Sequence, residues 1–86
     1  MVVRGKVQGV FYRAFTEGQA SSFGLSGWVR NMPDGGVEAV FEGEKDDIEE
    51  VLKRCQIGPT GAKVTALDVK WGAFNEEFNY FSIRHY

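Results

Sequence analysis

The chain has 86 residues, a length that points to one domain spanning residues 1–86. A net charge of −2 speaks against a nucleic-acid or anionic-membrane partner, and a single cysteine rules out an internal disulfide and a multi-cysteine metal site. No apolar run reaches membrane-spanning length and no signal-peptide pattern opens the chain, so a cytoplasmic protein is expected.

The opening MVVRGKV is β-prone and short, and runs into a turn at Gly9. In YRAFTEGQASSFG the residues Tyr12, Thr16, Ala20 and Phe23 recur at steps of four, four and three, the spacing of one helical face. Gly18 weakens this helix by roughly 1 kcal/mol relative to alanine, so it needs tertiary support, and Gly24 is a natural stop. LSGWVRN reads as a strand with Leu25, Gly27, Val29 and Asn31 on one face and Trp28 on the other. MPDGG is a hairpin signal, with Asp34-Gly35 suited to positive φ, and GVEAVFEG is the return strand.

EKDDIEEVLKRCQI carries Ile48, Val51, Leu52 and Cys55 at i, i+3, i+4 and i+7. Asp46 and Asp47 lie in its first turn and Lys53 and Arg54 in its last, as the helix dipole favours, and Gly58-Pro59 ends it. AKVTALDVKWG reads as a strand, AFNEEFN as a loop, and YFSIRHY as a final strand with Phe81 and Ile83 inward. The order β-α-β-β-α-β is the split β-α-β, ferredoxin-like α+β pattern: an antiparallel sheet with two helices on one face, and room for one extra edge strand.

Gly9 and Arg13 fall where the first strand passes into the first helix. Free backbone N–H groups and the helix dipole make such an end an anion site, and Arg13 adds a planar fork of donors that fits phosphate oxygens. The competing reading is a glycine turn beside a solvated arginine. Asn31 ends the second strand, where its amide either holds a water or caps the turn before Met32-Pro33. Cys55 and His85 read as a small buried residue and a surface imidazole. Glu42, Glu44, Asp46, Asp47, Glu49 and Glu50 read as a solvated helix start and face.

Five segments, GKVQGVFYR, GLSGWVRN, DGGVEAVFEG, GPTGAKV and FSIR, resemble the acylphosphatase family in order and spacing, over nearly the whole chain. The resemblance implies metal-free, cofactor-free hydrolysis of a small-molecule acyl phosphate to a carboxylate and inorganic phosphate. It implies a phosphate cradle on the backbone of Gln8, Gly9, Val10, Phe11, Tyr12 and Arg13. The phosphate-binding arginine is then Arg13 and the water-orienting asparagine Asn31. The chain departs from the pattern in having Tyr12 where a phenylalanine is usual, so its hydroxyl needs a partner or an exit to water. Its lead before the motif is also short, so either a short first strand or a trimmed start is expected.

The chemistry suits so few groups, because phosphoryl transfer rests on positioning and charge stabilisation and the leaving carboxylate is weakly basic. A phosphate oxygen is expected to take the water's proton. A monomer without nucleic-acid or membrane partners follows. Two other readings are a non-catalytic anion-binding relative and a ferredoxin-like RNA-binding module. The second lacks an RNP1 pattern in GGVEAVFEG and places Glu38 and Glu42 where bases would stack.

Overall fold

A computed structural model describes residues 1–72 and 77–85. Strand β1 (Val2–Lys6) leads to helix α1 (Tyr12–Ser22), then β2 (Ser26–Asn31), β3 (Val37–Glu42), helix α2 (Lys45–Ile57), β4 (Lys63–Asp68) and β5 (Phe81–Arg84). The sheet order is β4-β1-β3-β2-β5. The expected ferredoxin-like arrangement is present, and the extra edge strand is β5. It lies parallel to β2, with Gly27 opposite Phe81 and Val29 opposite Ile83, while every other pairing is antiparallel. The sheet is therefore mixed. The fourth strand is shorter than AKVTALDVKWG, because Val69–Gly72 fall outside β4, and the expected loop AFNEEFN lies partly at 73–76, outside the described residues.

Both helices pack on one face. Tyr12, Thr16 and Ala20 of α1 and Ile48, Val51 and Cys55 of α2 are buried, as their spacing predicts. They meet Val3, Val29, Val37 and Ala39 from the three central strands, so period-3.6 and period-2 patterns close on one core. Gly24, at φ 70°, ends α1 in the left-handed conformation that glycine adopts without strain. In the β2–β3 hairpin Gly35 takes positive φ and Asp34 does not. Asp34 instead accepts the Gly36 N–H at 3.0 Å and pairs with Arg4 of β1.

Gly27 is required by close approach. Its φ is 133°, and a Cβ there would stand 1.9 Å from the Val40 carbonyl oxygen. Phe41 and Phe81, its neighbours on the two flanking strands, stack over it with centroids 5.4 Å apart. On the opposite face Trp28 is half-buried, with the guanidinium carbons of Arg30 and Arg84 at 5.8 and 4.6 Å from its ring centre.

Glu42 corrects the expectation of a solvated acid. It is buried, and its carboxylate accepts the backbone N–H of Glu77 at 2.9 Å and of Phe78 at 3.0 Å. The chain must cross from edge strand β4 to the opposite edge before it can form β5. Glu42 fastens the end of that crossing just ahead of Phe81. The physical reason is that a carboxylate with several oxygen lone pairs satisfies backbone donors that no strand partner reaches.

Candidate active site

Helix α1 starts without a side-chain cap and without an acidic residue in its first turn, whereas α2 carries Asp46 and Asp47 there. The backbone N–H groups of Gly9, Val10, Phe11, Tyr12 and Arg13 find no acceptor among the described residues. Gly9 at φ 74° and Phe11 at φ 60° bend the chain through the turn. A Cβ added to Gly9 would meet nothing within 4 Å, so the space over the turn is open. Unpaired donors, a helix dipole and open space together favour an anion.

The turn borders an open cleft of about 420 Å³, lined by Gly9, Phe11, Arg13, Asn31, Ile83 and His85 among others. That is within the range of small-molecule sites. The sequence-predicted pair therefore meets: Arg13 from the first turn of α1 and Asn31 from the last residue of β2 share one cavity. A second hollow, about 460 Å³, opens at the far end of β3 beside Glu42 and Trp71, and neither Arg13 nor Asn31 reaches it.

Arg13 is held by one nitrogen. Its Nη1 donates to the Arg84 carbonyl at 3.2 Å and lies 3.2 Å from His85 Nδ1. Nε and Nη2 have no acceptor among the described residues, so the other edge of the fork is open. Asn31 Oδ1 is buried without a hydrogen-bond partner among the described residues. The turn-capping reading of Asn31 finds no bond to carry it. The hairpin is secured instead by Asp34 and by Gln8, whose Nε2 donates to the carbonyls of Met32 at 2.8 Å and Gly36 at 2.9 Å.

Gln8 and His85 add what the sequence reading missed. Gln8 entered there only through its backbone, yet its side chain ties the turn to the hairpin loop that follows Asn31. His85 is exposed, as expected of a surface imidazole, but it stands against Arg13. No local signal marks either role, because each depends on a strand far away in sequence.

Tyr12 meets its requirement for a partner. Its ring is buried and its hydroxyl donates to the Cys55 carbonyl at 2.6 Å, one of the last α2 carbonyls with no helical donor. Burial, with Cys55 beside it, pushes the Tyr12 hydroxyl far above the usual phenol range, and burial likewise raises the Cys55 thiol. The hydroxyl thus locks the start of α1 onto the end of α2 and stays out of the cleft chemistry.

The acylphosphatase family model matches residues 1–83. An acylphosphatase of Pyrobaculum calidifontis is 52% identical over 94% of this chain and 74% of its own, and one of Pelotomaculum thermopropionicum is 45% identical over 96% and 90%. The crystal structure of the Bacillus subtilis acylphosphatase superposes with a TM-score of 0.93 at 35% identity, covering 96% of this chain and 92% of that one. With a family match over residues 1–83, relatives at up to 52% identity and a shared fold, the chain belongs to the acylphosphatase family, the enzymes that hydrolyse acyl phosphates.

Proposed function

We propose that the cleft between α1, the end of β2 and the end of β5 is where this enzyme hydrolyses its acyl phosphate. The amides of Gly9–Arg13 and the open edge of Arg13 hold the phosphoryl oxygens. Asn31 Oδ1 accepts a hydrogen bond from the attacking water. The Oδ1 left without a partner among the described residues carries this reading, since a buried acceptor that no protein donor reaches favours a donor brought by a bound molecule.

The water oxygen forms a bond to phosphorus as the bond from phosphorus to the acyl oxygen breaks. The electron pair of that bond leaves with the carboxylate, and the water's proton passes to a phosphoryl oxygen. The products are a carboxylate and inorganic phosphate. A cationic fork and aligned amides stabilise charge already spread over the equatorial oxygens, so no side-chain base is needed.

The enzyme acts as a monomer of one domain in the cytoplasm, and its acidic balance supports a reading without nucleic acid. No helix among the described residues is long and apolar enough to cross a membrane. Turnover of acetyl phosphate with and without a chelator tests the reading. The rate should survive chelation, fall at least a hundredfold in Arg13→Gln, and be inhibited competitively by inorganic phosphate. A chelator loss restored by Mg²⁺, or phosphate inhibition unchanged in Arg13→Gln, would place the chemistry elsewhere.

A further inference from the structure

Phe11 is the N-cap of α1, with φ 60° and ψ 25°. Among the described residues it is the one non-glycine with positive φ. A Cβ in that conformation is strained, and glycine would avoid the strain. The side chain gains no burial in return: Phe11 is 85% exposed and is absent from the core and from the side chains packed against it. A single exposed phenylalanine needs no explanation, but one held in a strained backbone at the mouth of the catalytic cleft does.

Phe11 lines the same cleft as Arg13 and Asn31, where Val7, Ala14 and Ile83 add apolar surface. Its N–H belongs to the proposed cradle and its ring springs from the same Cα. A phosphate seated on the cradle therefore brings the attached acyl group close to the ring. Arg13 and His85 are the ionisable groups of the cleft besides the buried Tyr12, and Arg13 is engaged with the phosphate. A second negative charge on the acyl group would meet an aromatic face.

We propose that Phe11 is the acyl-group contact of this enzyme and selects acyl phosphates with an aromatic or extended aliphatic acyl group. The inference rests on the cradle assignment above. A phosphate on the cradle is common to every acyl phosphate, so a change in the turn alters all substrates alike. The ratio of kcat/KM for benzoyl phosphate to that for acetyl phosphate isolates the ring.

In wild type that ratio should exceed one. In Phe11→Gly, which relieves the strained φ, it should fall about tenfold, the size of one aromatic contact. Phe11→Leu, which keeps apolar surface, should retain most of it. An unchanged ratio in both variants would overturn the proposal, whatever happens to the absolute rates. Failure of the cradle itself would show separately, as phosphate inhibition indifferent to Arg13→Gln.

Discussion

Arg13 Nη1 and His85 Nδ1 stand 3.2 Å apart, and because a guanidinium only donates, the imidazole nitrogen is the acceptor of the pair. Together with the Arg84 carbonyl, His85 fixes one corner of the fork and leaves Nε and Nη2 without an acceptor among the described residues. His85→Ala should weaken inhibition by inorganic phosphate about three- to tenfold, the worth of one hydrogen bond, and raise KM more than it lowers kcat. Arg13→Lys keeps the charge and loses the fork, so both parameters should suffer. Steady-state kinetics on acetyl phosphate with phosphate as inhibitor separates the two, and wild-type inhibition in His85→Ala would show that His85 does not orient Arg13.

Asn31→Ala should lower kcat on the order of 10²-fold with KM nearly unchanged, because the proposed partner is the attacking water. The structure adds a second expectation. No described residue donates to Asn31 Oδ1, so its removal should not lower stability by more than about 1 kcal/mol. Paired kinetics and chemical denaturation test this, and activity lost only in proportion to the unfolded fraction would return Asn31 to a structural role.

Gln8→Ala removes two bonds that tie the turn to the hairpin, to Met32 and Gly36. Stability should fall by about 1–3 kcal/mol. Activity of the folded fraction should fall too, since the cradle and Asn31 would lose their fixed spacing. Full specific activity in the folded variant would show that the spacing is set by the sheet alone.

Stability should decline above neutral pH through two buried groups. The Cys55 thiol and the Tyr12 hydroxyl are both raised by burial, so the folded state keeps protons that the unfolded chain releases. Their contribution is complete below the unfolded pKa values. It is lost from about pH 8.5 upward for Cys55 and from about pH 10 for Tyr12, at up to about 1.4 kcal/mol per pH unit per group. Tyr12→Phe should remove the second part of the slope. At neutral pH it should also cost about 1 kcal/mol, because the Cys55 carbonyl loses its donor. Thermal melts from pH 7 to 11 read both effects, and identical alkaline slopes in the two proteins would exclude Tyr12 as the source.

Glu42→Ala leaves the Glu77 and Phe78 amides without their carboxylate. A loss of about 1.5–3 kcal/mol is expected, with hydrogen exchange rising first in β5. Uniformly raised exchange across the whole sheet would mean that Glu42 does not specifically anchor that strand.

The elements were legible because each is encoded locally. Tyr12, Thr16 and Ala20, and Ile48, Val51 and Cys55, mark helix faces by spacing alone, and Gly24 and Gly58 end those helices through the φ they allow. Arg13 and Asn31 stand out in the sequence because they close segments whose order and spacing resemble a known family, and the fold brings both to one cavity. What the sequence could not fix depends on atoms that meet from distant parts of the chain. The parallel placement of β5 beside β2 needs a crossing of the whole sheet, and no local pattern records it. That placement alone brings His85 to Arg13. Glu42 looked solvated because burial of a carboxylate is decided by which amides reach it, here from 35 and 36 residues away. Phe11 lay within the expected cradle, but its left-handed backbone and its exposed ring at the cleft mouth are properties of the folded turn.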